Sequence, residues 1–469
     1  MKNNKQLRLG EDSINHLMMH FSLPCIFSLL IGSLYNIVDQ IFIGNSELST
    51  LGNAATGVVF PVFIIAQAIA WCFGDGCAAY LNICQGQNND QDAQNAVGGS
   101  ITVSFLLSLI LIAVICPIKA PMLLLFGASK NTLAYATTYL NIILITLPLF
   151  VLSNALNSVI RADGSPTWAM AAILIGALTN TILDPLFIFG FKMGMAGAAI
   201  ATAIGQGASF LTTVVYFFKP KTFKLSLYSF VPKWRSLQCI LRLGISTFIT
   251  QGAIVLVAVL SNVRFARLGA CSVYGADVPI AVIGIQSKLC TIVLNLTVGL
   301  ALGCQPIISY NTGAGNYKRV RELFQKIMLL TLAIGLFFTA LFELFPREII
   351  GLFGLPANIP NPNEYWIFGE KTLRIFLSLI SITCIVKTAS LFFQAVGKPI
   401  FAVISSTIRD VIAFIPLILI LPLFRADVEV LLYAAPISDV IAIAVTAALS
   451  ISFLRSLKRE EEEMLSHIG

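Results

Sequence analysis

Long runs of apolar residues recur along this chain of 469 residues and constrain its fold more than any other feature. A membrane-spanning helix needs about 20 predominantly apolar residues in succession. Runs of that length lie near positions 17–43, 54–84, 96–118, 133–158, 167–190, 195–218, 240–266, 279–309, 326–345, 372–396, 400–424 and 429–454. Only 11% of the residues are charged, whereas a soluble domain usually carries about 25%. The sequence therefore predicts an all-α membrane protein with twelve transmembrane helices. It argues against a soluble enzyme and against a nucleic-acid-binding protein.

The basic residues predict the orientation of these helices. Lys2, Lys5 and Arg8 precede a first apolar run that is far longer than the core of a signal peptide, so we expect that run to remain as a helix. An even number of spans puts both termini on one side of the membrane. The segments on that side hold roughly twice as many Lys and Arg residues as the segments opposite, which is typical of the cytoplasmic side. We therefore expect both termini to be cytoplasmic.

Spaced glycines indicate that the chain is duplicated. Gly76 and Gly86 are ten residues apart after the second run, and Gly303 and Gly313 repeat that spacing after the eighth run. A Gly-x-Pro sequence occurs at 164–166 and again at 397–399, where one helix is expected to end and the next to begin. Both matches are offset by about half of the chain, so six spans per repeat give the two halves the same membrane orientation.

The duplication predicts two six-helix lobes related by a pseudo-two-fold axis along the membrane normal. Between them lies the longest basic segment, in which Lys and Arg alternate with aromatic and aliphatic residues. The predicted parts are an N-terminal lobe at 1–218, a basic cytoplasmic linker at 219–236, a C-terminal lobe at 237–454 and a cytoplasmic tail at 455–469.

Two carboxylates in the predicted N-terminal lobe are candidates for function, because ionisable groups inside a span are costly. Asp39 and Asp184 each lie about 6–10 Å inside the outer end of an outward-running span. Asn180 precedes Asp184 by one helical turn, on the same face. Two carboxylates in one pocket favour binding of a proton, and the same oxygens with the amide could coordinate Na⁺. The alternative is that these groups only pair with helix ends or with water.

Further polar residues extend this pattern. Tyr35 and Asn36 lie one turn before Asp39 and are candidates for the substrate cavity or its polar network. Pro24 lies in the same span as Asp39 and removes a backbone hydrogen bond, so it is a candidate hinge.

The predicted C-terminal lobe carries ionisable groups of both signs. Lys288, Arg409, Asp410 and Asp439 fall near mid-depth, and Lys387 lies closer to the inner side. Acids mixed with bases favour neutralised structural pairs over a titrating site. A role in a substrate cavity remains the alternative.

Several stretches of the sequence resemble the multidrug and toxic compound extrusion (MATE) family. They are YNIVDQIFIG at 35–44, RADGSP at 161–166, NTILDPLFIFG at 180–190, MGMAGAAIAT at 193–202 and GCQPIISYN at 303–311. The resemblance implies two six-helix lobes and export of organic cations driven by inward movement of H⁺ or Na⁺. It also implies the family branch whose coupling groups stand at Asp39, Asp184 and Asn180. Another branch has acids in spans 7 and 10, where this chain has Gln251 and Lys387 instead.

The resemblance predicts an antiporter in a bacterial cytoplasmic membrane that is a monomer and exports small organic cations. No cofactor is expected besides the coupling ion, H⁺ or Na⁺. The alternative function is a flippase for a lipid-linked saccharide, whose cavity would need several basic groups for a pyrophosphate. An enzyme is not expected, because the three histidines (His16, His20 and His467) lie outside the depths of the spans and the ten cysteines form no CxxC motif.

Overall fold

The computed structural model describes residues 8–46, 49–129, 132–275, 277–353, 362–425 and 427–468. Sixteen α-helices run through these residues. They are α1 (Arg8–Glu11), α2 (Ile14–Gly44), α3 (Ser49–Gly86), α4 (Asp90–Leu125), α5 (Leu133–Ala162), α6 (Pro166–Pro185), α7 (Gly194–Phe217), α8 (Trp234–Ala270), α9 (Asp277–Gly313), α10 (Tyr317–Leu344), α11 (Pro346–Gly351), α12 (Pro362–Phe376), α13 (Ile380–Ala395), α14 (Pro399–Thr407), α15 (Ile415–Phe424) and α16 (Ala434–Ile468).

The number of membrane spans agrees with the sequence prediction. Among the described residues, eleven helical segments are long and apolar enough to cross a membrane, and a bent pair of helices completes a twelfth span. Helices satisfy every backbone hydrogen bond within one segment, which is why apolar runs of this length become helical in lipid. The all-α membrane fold class is confirmed.

The tenth span differs from the expected continuous helix at 372–396. It begins earlier and is broken by 47° between α12 and α13. At the break, the Ser378 hydroxyl donates to the carbonyl oxygen of Ile375 at 2.8 Å. The backbone there changes to shorter i→i+3 bonds, including one from Ile380 to Leu377. The span therefore bends where its i→i−4 ladder is interrupted, without a proline at the break.

Two spans contain a short π-helical segment beside their charged residues. One segment, Leu186–Gly190, continues α6 directly after Asp184 and Pro185. The other, Ile408–Phe414, joins α14 to α15 and carries Arg409 and Asp410. Wider turns of this kind occur often at functional sites, because they turn neighbouring side chains toward a common interior.

The chain forms two compact units. The first comprises Met1–Gln251, Leu302–Asn316 and Gln394–Pro399, and the second comprises Gly252–Ala301, Tyr317–Phe393 and Ile400–Gly469. Inside the first unit, aliphatic side chains of α3, α5 and α7 form the largest core cluster. Inside the second, the core is richer in aromatic rings, among them Phe265, Tyr365 and Phe368. The division into lobes at 218 and 237 stays a prediction.

The repeated glycines lie in helices rather than in the expected loops. Gly86 and Gly313 are the last residues of α3 and α9, and both belong to the first unit. A Cβ atom on Gly86 would lie 2.3 Å from the carbonyl oxygen of Tyr310. The absence of side chains therefore lets the two helix ends cross with their backbones in contact. Their spacing reflects helix packing instead of turn geometry.

The two Gly-x-Pro sequences do end one helix and begin another. Gly164 has a φ of +76° between α5 and α6, and Gly397 has a φ of +81° between α13 and α14. Glycine adopts this left-handed conformation without the cost that a side chain would add. The following prolines, Pro166 and Pro399, are the first residues of α6 and α14.

Candidate functional site

The carboxyl groups of Asp39 and Asp184 lie together inside the first unit. Asp39 is on α2 and Asp184 is on α6, and these two helices pack along each other. The two carboxyl groups are close enough to interact electrostatically. Asp184 has no exposed surface. The structure therefore brings these two acids together, and their role stays a prediction.

The amide of Asn180 joins this pair. Its Nδ2 donates to Oδ1 of Asp184 at 3.2 Å and lies 3.4 Å from Oγ1 of Thr202 on α7. The spacing of four residues places the amide and the carboxyl on one face of α6, as expected. Asn180 thus links the carboxylate pair to α7.

Three buried oxygen atoms of the cluster point to a small cation. Among the described residues, no hydrogen-bond donor reaches Oδ1 of Asp39, Oδ1 of Asn180 or Oδ2 of Asp184. Buried polar atoms are nearly always satisfied by a partner. Two carboxyl groups and an amide carbonyl offer hard oxygen ligands, which suit a proton or an alkali cation. These oxygen ligands therefore fit the coupling ion, H⁺ or Na⁺, that the resemblance implies.

Two tyrosines and a threonine complete the surroundings. Tyr35, one turn before Asp39, interacts electrostatically with both carboxyl groups. Tyr139 of α5 does so as well and lies beside Thr202. Sequence reasoning missed Tyr139 and Thr202. Thr202 ends one of the MATE-like stretches, but nothing in the local pattern of Tyr139 distinguishes it from an ordinary core aromatic.

Asn36 and Pro24 lie on α2, the helix that carries Asp39. The Asn36 side chain is exposed and donates to the carbonyl oxygen of Gly32 within its own helix at 2.7 Å. Pro24 lies inside α2, and the carbonyl oxygen of Pro24 accepts from the Ser28 hydroxyl at 2.7 Å. The fifteen residues from Pro24 to Asp39 span about 22 Å of helix. Pro24 could therefore influence Asp39 only through the bending of α2, and not by direct contact.

The second unit contains a chain of alternating charges. Lys387 of α13 pairs with Asp410, and Nη1 of Arg409 lies 2.8 Å from the same carboxyl group. On its other side, Nε of Arg409 donates to Asp439 at 2.6 Å. Asp439 also accepts from the Thr383 hydroxyl at 2.8 Å. Two bases and two acids neutralise each other in this network. A structural role for the group stays a prediction.

Lys288 does not join that network. Its side chain is exposed on α9, and it forms no ion pair with any residue that the structure describes. Of the residues predicted for this group, the structure brings Lys387, Arg409, Asp410 and Asp439 together. It leaves Lys288 outside the network.

The family of this chain follows from its sequence as a whole. A family model described as MatE matches residues 24–186 and 253–420, which together exceed half of the chain. The chain belongs to the MatE family. The first matched region holds Asp39, Asn180 and Asp184, and the second holds Lys387, Arg409 and Asp410.

Curated relatives agree with this assignment. The multidrug export protein MepA of Staphylococcus aureus strain MSSA476 is 29% identical over 364 residues, covering 76% of this chain and 78% of the relative. The MepA protein of Staphylococcus haemolyticus is 29% identical over 335 residues, covering 71% and 72%. As a MatE protein, the chain is a multi-pass membrane transporter and not an enzyme.

Solved structures confirm the fold of this MatE protein. A MOP superfamily transporter from Pyrococcus furiosus superposes with a TM-score of 0.89 at 21% identity, covering 98% of this chain and all of the other. A variant of the Vibrio cholerae MATE transporter VcmN superposes with a TM-score of 0.85 at 20% identity, covering 97% and 99%.

Proposed function

We propose that this MatE protein is a secondary active antiporter that exports organic cations in exchange for H⁺ or Na⁺ by alternating access. The observation that carries the proposal is the electrostatic pairing of Asp39 with Asp184 across two packed helices. Three buried oxygens of the cluster lack a donor among the described residues. The names of its relatives, which are multidrug export proteins, support amphipathic organic cations as the substrates. The predicted orientation would place both termini in the cytoplasm.

The carboxylate pair would make helix packing depend on a cation. Two ionised carboxyl groups in contact repel each other strongly where water is scarce. A proton or Na⁺ between them converts that repulsion into a hydrogen bond or a shared coordination. Occupancy therefore favours the close approach of α2 to α6, and release of the cation favours their separation. A ligand that binds one state better shifts the equilibrium between states by that difference.

The flippase alternative is less well supported by the second unit. A lipid pyrophosphate would need basic groups that are not already neutralised. Lys387 and Arg409 are each paired with a buried carboxylate, and breaking such pairs is costly. Only Lys288 retains an exposed ammonium group among the basic residues considered for this role.

Efflux from vesicles under separate ion gradients tests the proposed antiport. Purified protein is reconstituted into vesicles that are loaded with a fluorescent organic cation. We expect efflux to accelerate when the outer solution is made more acidic, or when Na⁺ is added outside at constant pH. For one-for-one exchange with H⁺, each pH unit should sustain about a tenfold gradient of the dye cation. An efflux rate that changes with neither the pH gradient nor the Na⁺ gradient would contradict the proposal.

Bending of α2 at Pro24 would connect the carboxylates to the change of access. Replacing Pro24 by Ala allows a complete hydrogen-bond ladder, so we expect a straighter helix and export at least several-fold slower in the same assay. Pro61→Ala is the matched control, because Pro61 interrupts α3, which carries neither carboxylate. A Pro24→Ala variant that exports at the parent rate would remove the hinge from the proposal.

A further inference from the structure

A pocket of about 530 Å³ lies where α6 begins and α7 ends, inside the first unit and away from the carboxylate pair. Its lining combines hydroxyl, aromatic and ammonium groups. The lining residues are Ser165, Thr167, Trp168, Val215, Tyr216, Phe218, Lys219 and Lys221. None of these eight side chains is acidic. Nothing in the proposed transport mechanism uses this pocket.

The backbone around the pocket is held in place by Asp163. This carboxyl group is fully buried and accepts a hydrogen bond from the Tyr216 hydroxyl at 2.5 Å. It also accepts from the backbone N–H groups of Lys221 at 2.7 Å and Thr222 at 2.9 Å. These donors occupy both of its oxygens. Asp163 thus anchors the start of the basic linker from behind the pocket wall.

The aromatic wall is fixed as well. The Trp168 indole donates from Nε1 to the carbonyl oxygen of Thr212 at 3.0 Å, which joins the first turn of α6 to the end of α7. The Tyr216 hydroxyl lies 2.9 Å from the Ser165 hydroxyl. A ligand would therefore meet a wall that is ordered before binding, which lowers the entropic cost of association.

Two ammonium groups give the pocket a positive charge. Lys219 and Lys221 are both exposed and lie two residues apart at the end of α7. Nζ of Lys221 donates to the carbonyl oxygen of Gly164 at 2.8 Å, which holds it at the rim. The complementary ligand carries a negative charge.

An apolar stripe on α7 leads away from the pocket. Leu211, Val215 and Phe218 follow one another at helical spacing and are 64%, 54% and 80% exposed. These positions share one face of the helix. Trp168 stands at the mouth of the pocket, and indole rings favour the boundary between headgroups and acyl chains. A soluble anion would gain nothing from this stripe, whereas a phospholipid would cover it with an acyl chain.

We propose that this pocket binds the headgroup of an acidic phospholipid. The phosphate lies between the ammonium groups of Lys219 and Lys221, the Thr167 hydroxyl donates to it, and one acyl chain covers Leu211 and Val215. The lipid belongs to the leaflet on the side of the basic linker 219–236. Because a ligand of the folded state stabilises that state, the bound lipid ties the start of the linker to α6.

Thermal unfolding of the full-length protein in a neutral detergent tests the proposal. Phosphatidylglycerol is added in steps, with phosphatidylcholine as the lipid of equal chain length. We expect a saturable rise in melting temperature with phosphatidylglycerol only. Lys219→Gln should weaken the apparent affinity severalfold, and Lys219→Gln combined with Lys221→Gln at least about tenfold.

The matched control removes equal charge from the linker outside the pocket, as Lys224→Gln combined with Lys233→Gln. This pair should bind phosphatidylglycerol as the parent does. If both double variants lose affinity for phosphatidylglycerol equally, the proposal is overturned, because the lipid is then attracted by the overall positive charge of the linker and not by this pocket. Glycerol phosphate and inorganic phosphate are added as competitors. If either displaces the lipid at the concentration at which the lipid itself binds, the proposal is overturned and the pocket binds a soluble anion.

Spectroscopy gives a second measurement that does not depend on stability. Phosphatidylglycerol with brominated acyl chains should quench the fluorescence of Trp168, and the quenched fraction should disappear in a Trp168→Phe variant. Melting temperatures without lipid show whether each variant folds. Quenching that is unchanged in Trp168→Phe would mean that the lipid binds elsewhere.

Discussion

Asp39→Asn and Asp184→Asn should each abolish export driven by an ion gradient, while the protein remains folded in the membrane. Asparagine keeps the size of the side chain but cannot ionise, so the pair loses its dependence on a bound cation. We expect gradient-driven efflux of the fluorescent cation to fall at least about tenfold in either variant, toward the leak of empty vesicles. The melting temperature should not fall, because each substitution removes a buried carboxyl group without removing its partner's hydrogen bonds.

The double variant separates coupling from a general loss of activity. If Asp39 and Asp184 act as a unit, the Asp39→Asn/Asp184→Asn protein exports no more slowly than either single variant. Asp90→Asn, an exposed acid in the first turn of α4, is the control and should export at the parent rate. Gradient-driven efflux that persists in both single variants would disprove the coupling role of the pair.

Asn180 was predictable from sequence, but its connection to α7 was not. A spacing of four residues on one helix requires only local geometry to place Asn180 beside Asp184. Thr202 and Tyr139 reach the same cluster from other helices, and their positions depend on how α5, α6 and α7 pack. The packing in turn depends on small residues, since a Cβ on Gly205 would lie 2.8 Å from the carbonyl oxygen of Gly176. Such contacts leave little trace in hydropathy.

The membrane spans were predictable because their length is set by the bilayer. Apolar runs of about 20 residues have few alternatives to a helix in lipid. The bend at Ser378 was not predictable in this way. Other hydroxyl residues in apolar runs, such as Ser108, make the same bond to the carbonyl three residues earlier inside an unbroken helix. Likewise, the sequence indicated a neutral set of charges in the second half of the chain but not that Lys387, rather than Lys288, pairs with Asp410.

Arg409→Met should destabilise the protein more than any other single change in the second unit's charge network. Arg409 is the only basic partner of Asp439 among the described ion pairs, and the Asp439 side chain is 1% exposed. Removing the guanidinium leaves a buried carboxylate with one remaining donor, the Thr383 hydroxyl. Breaking a buried pair in this way costs about 3–5 kcal/mol. Lys387→Met should cost less, because Asp410 keeps its contact with Arg409 at 2.8 Å.

A second substitution that compensates for the first tests whether this network only stabilises the fold or also takes part in transport. Arg409→Met combined with Asp439→Leu removes the pair together, so the melting temperature should recover most of the loss seen in Arg409→Met. If the network is purely structural, the recovered double variant also exports at the parent rate in the vesicle assay. Recovered stability with export still reduced at least about tenfold would instead place Arg409 and Asp439 in the transport pathway. A double variant less stable than Arg409→Met would contradict the ion-pair account itself, because the energetic penalty would then not come from an unpaired carboxylate.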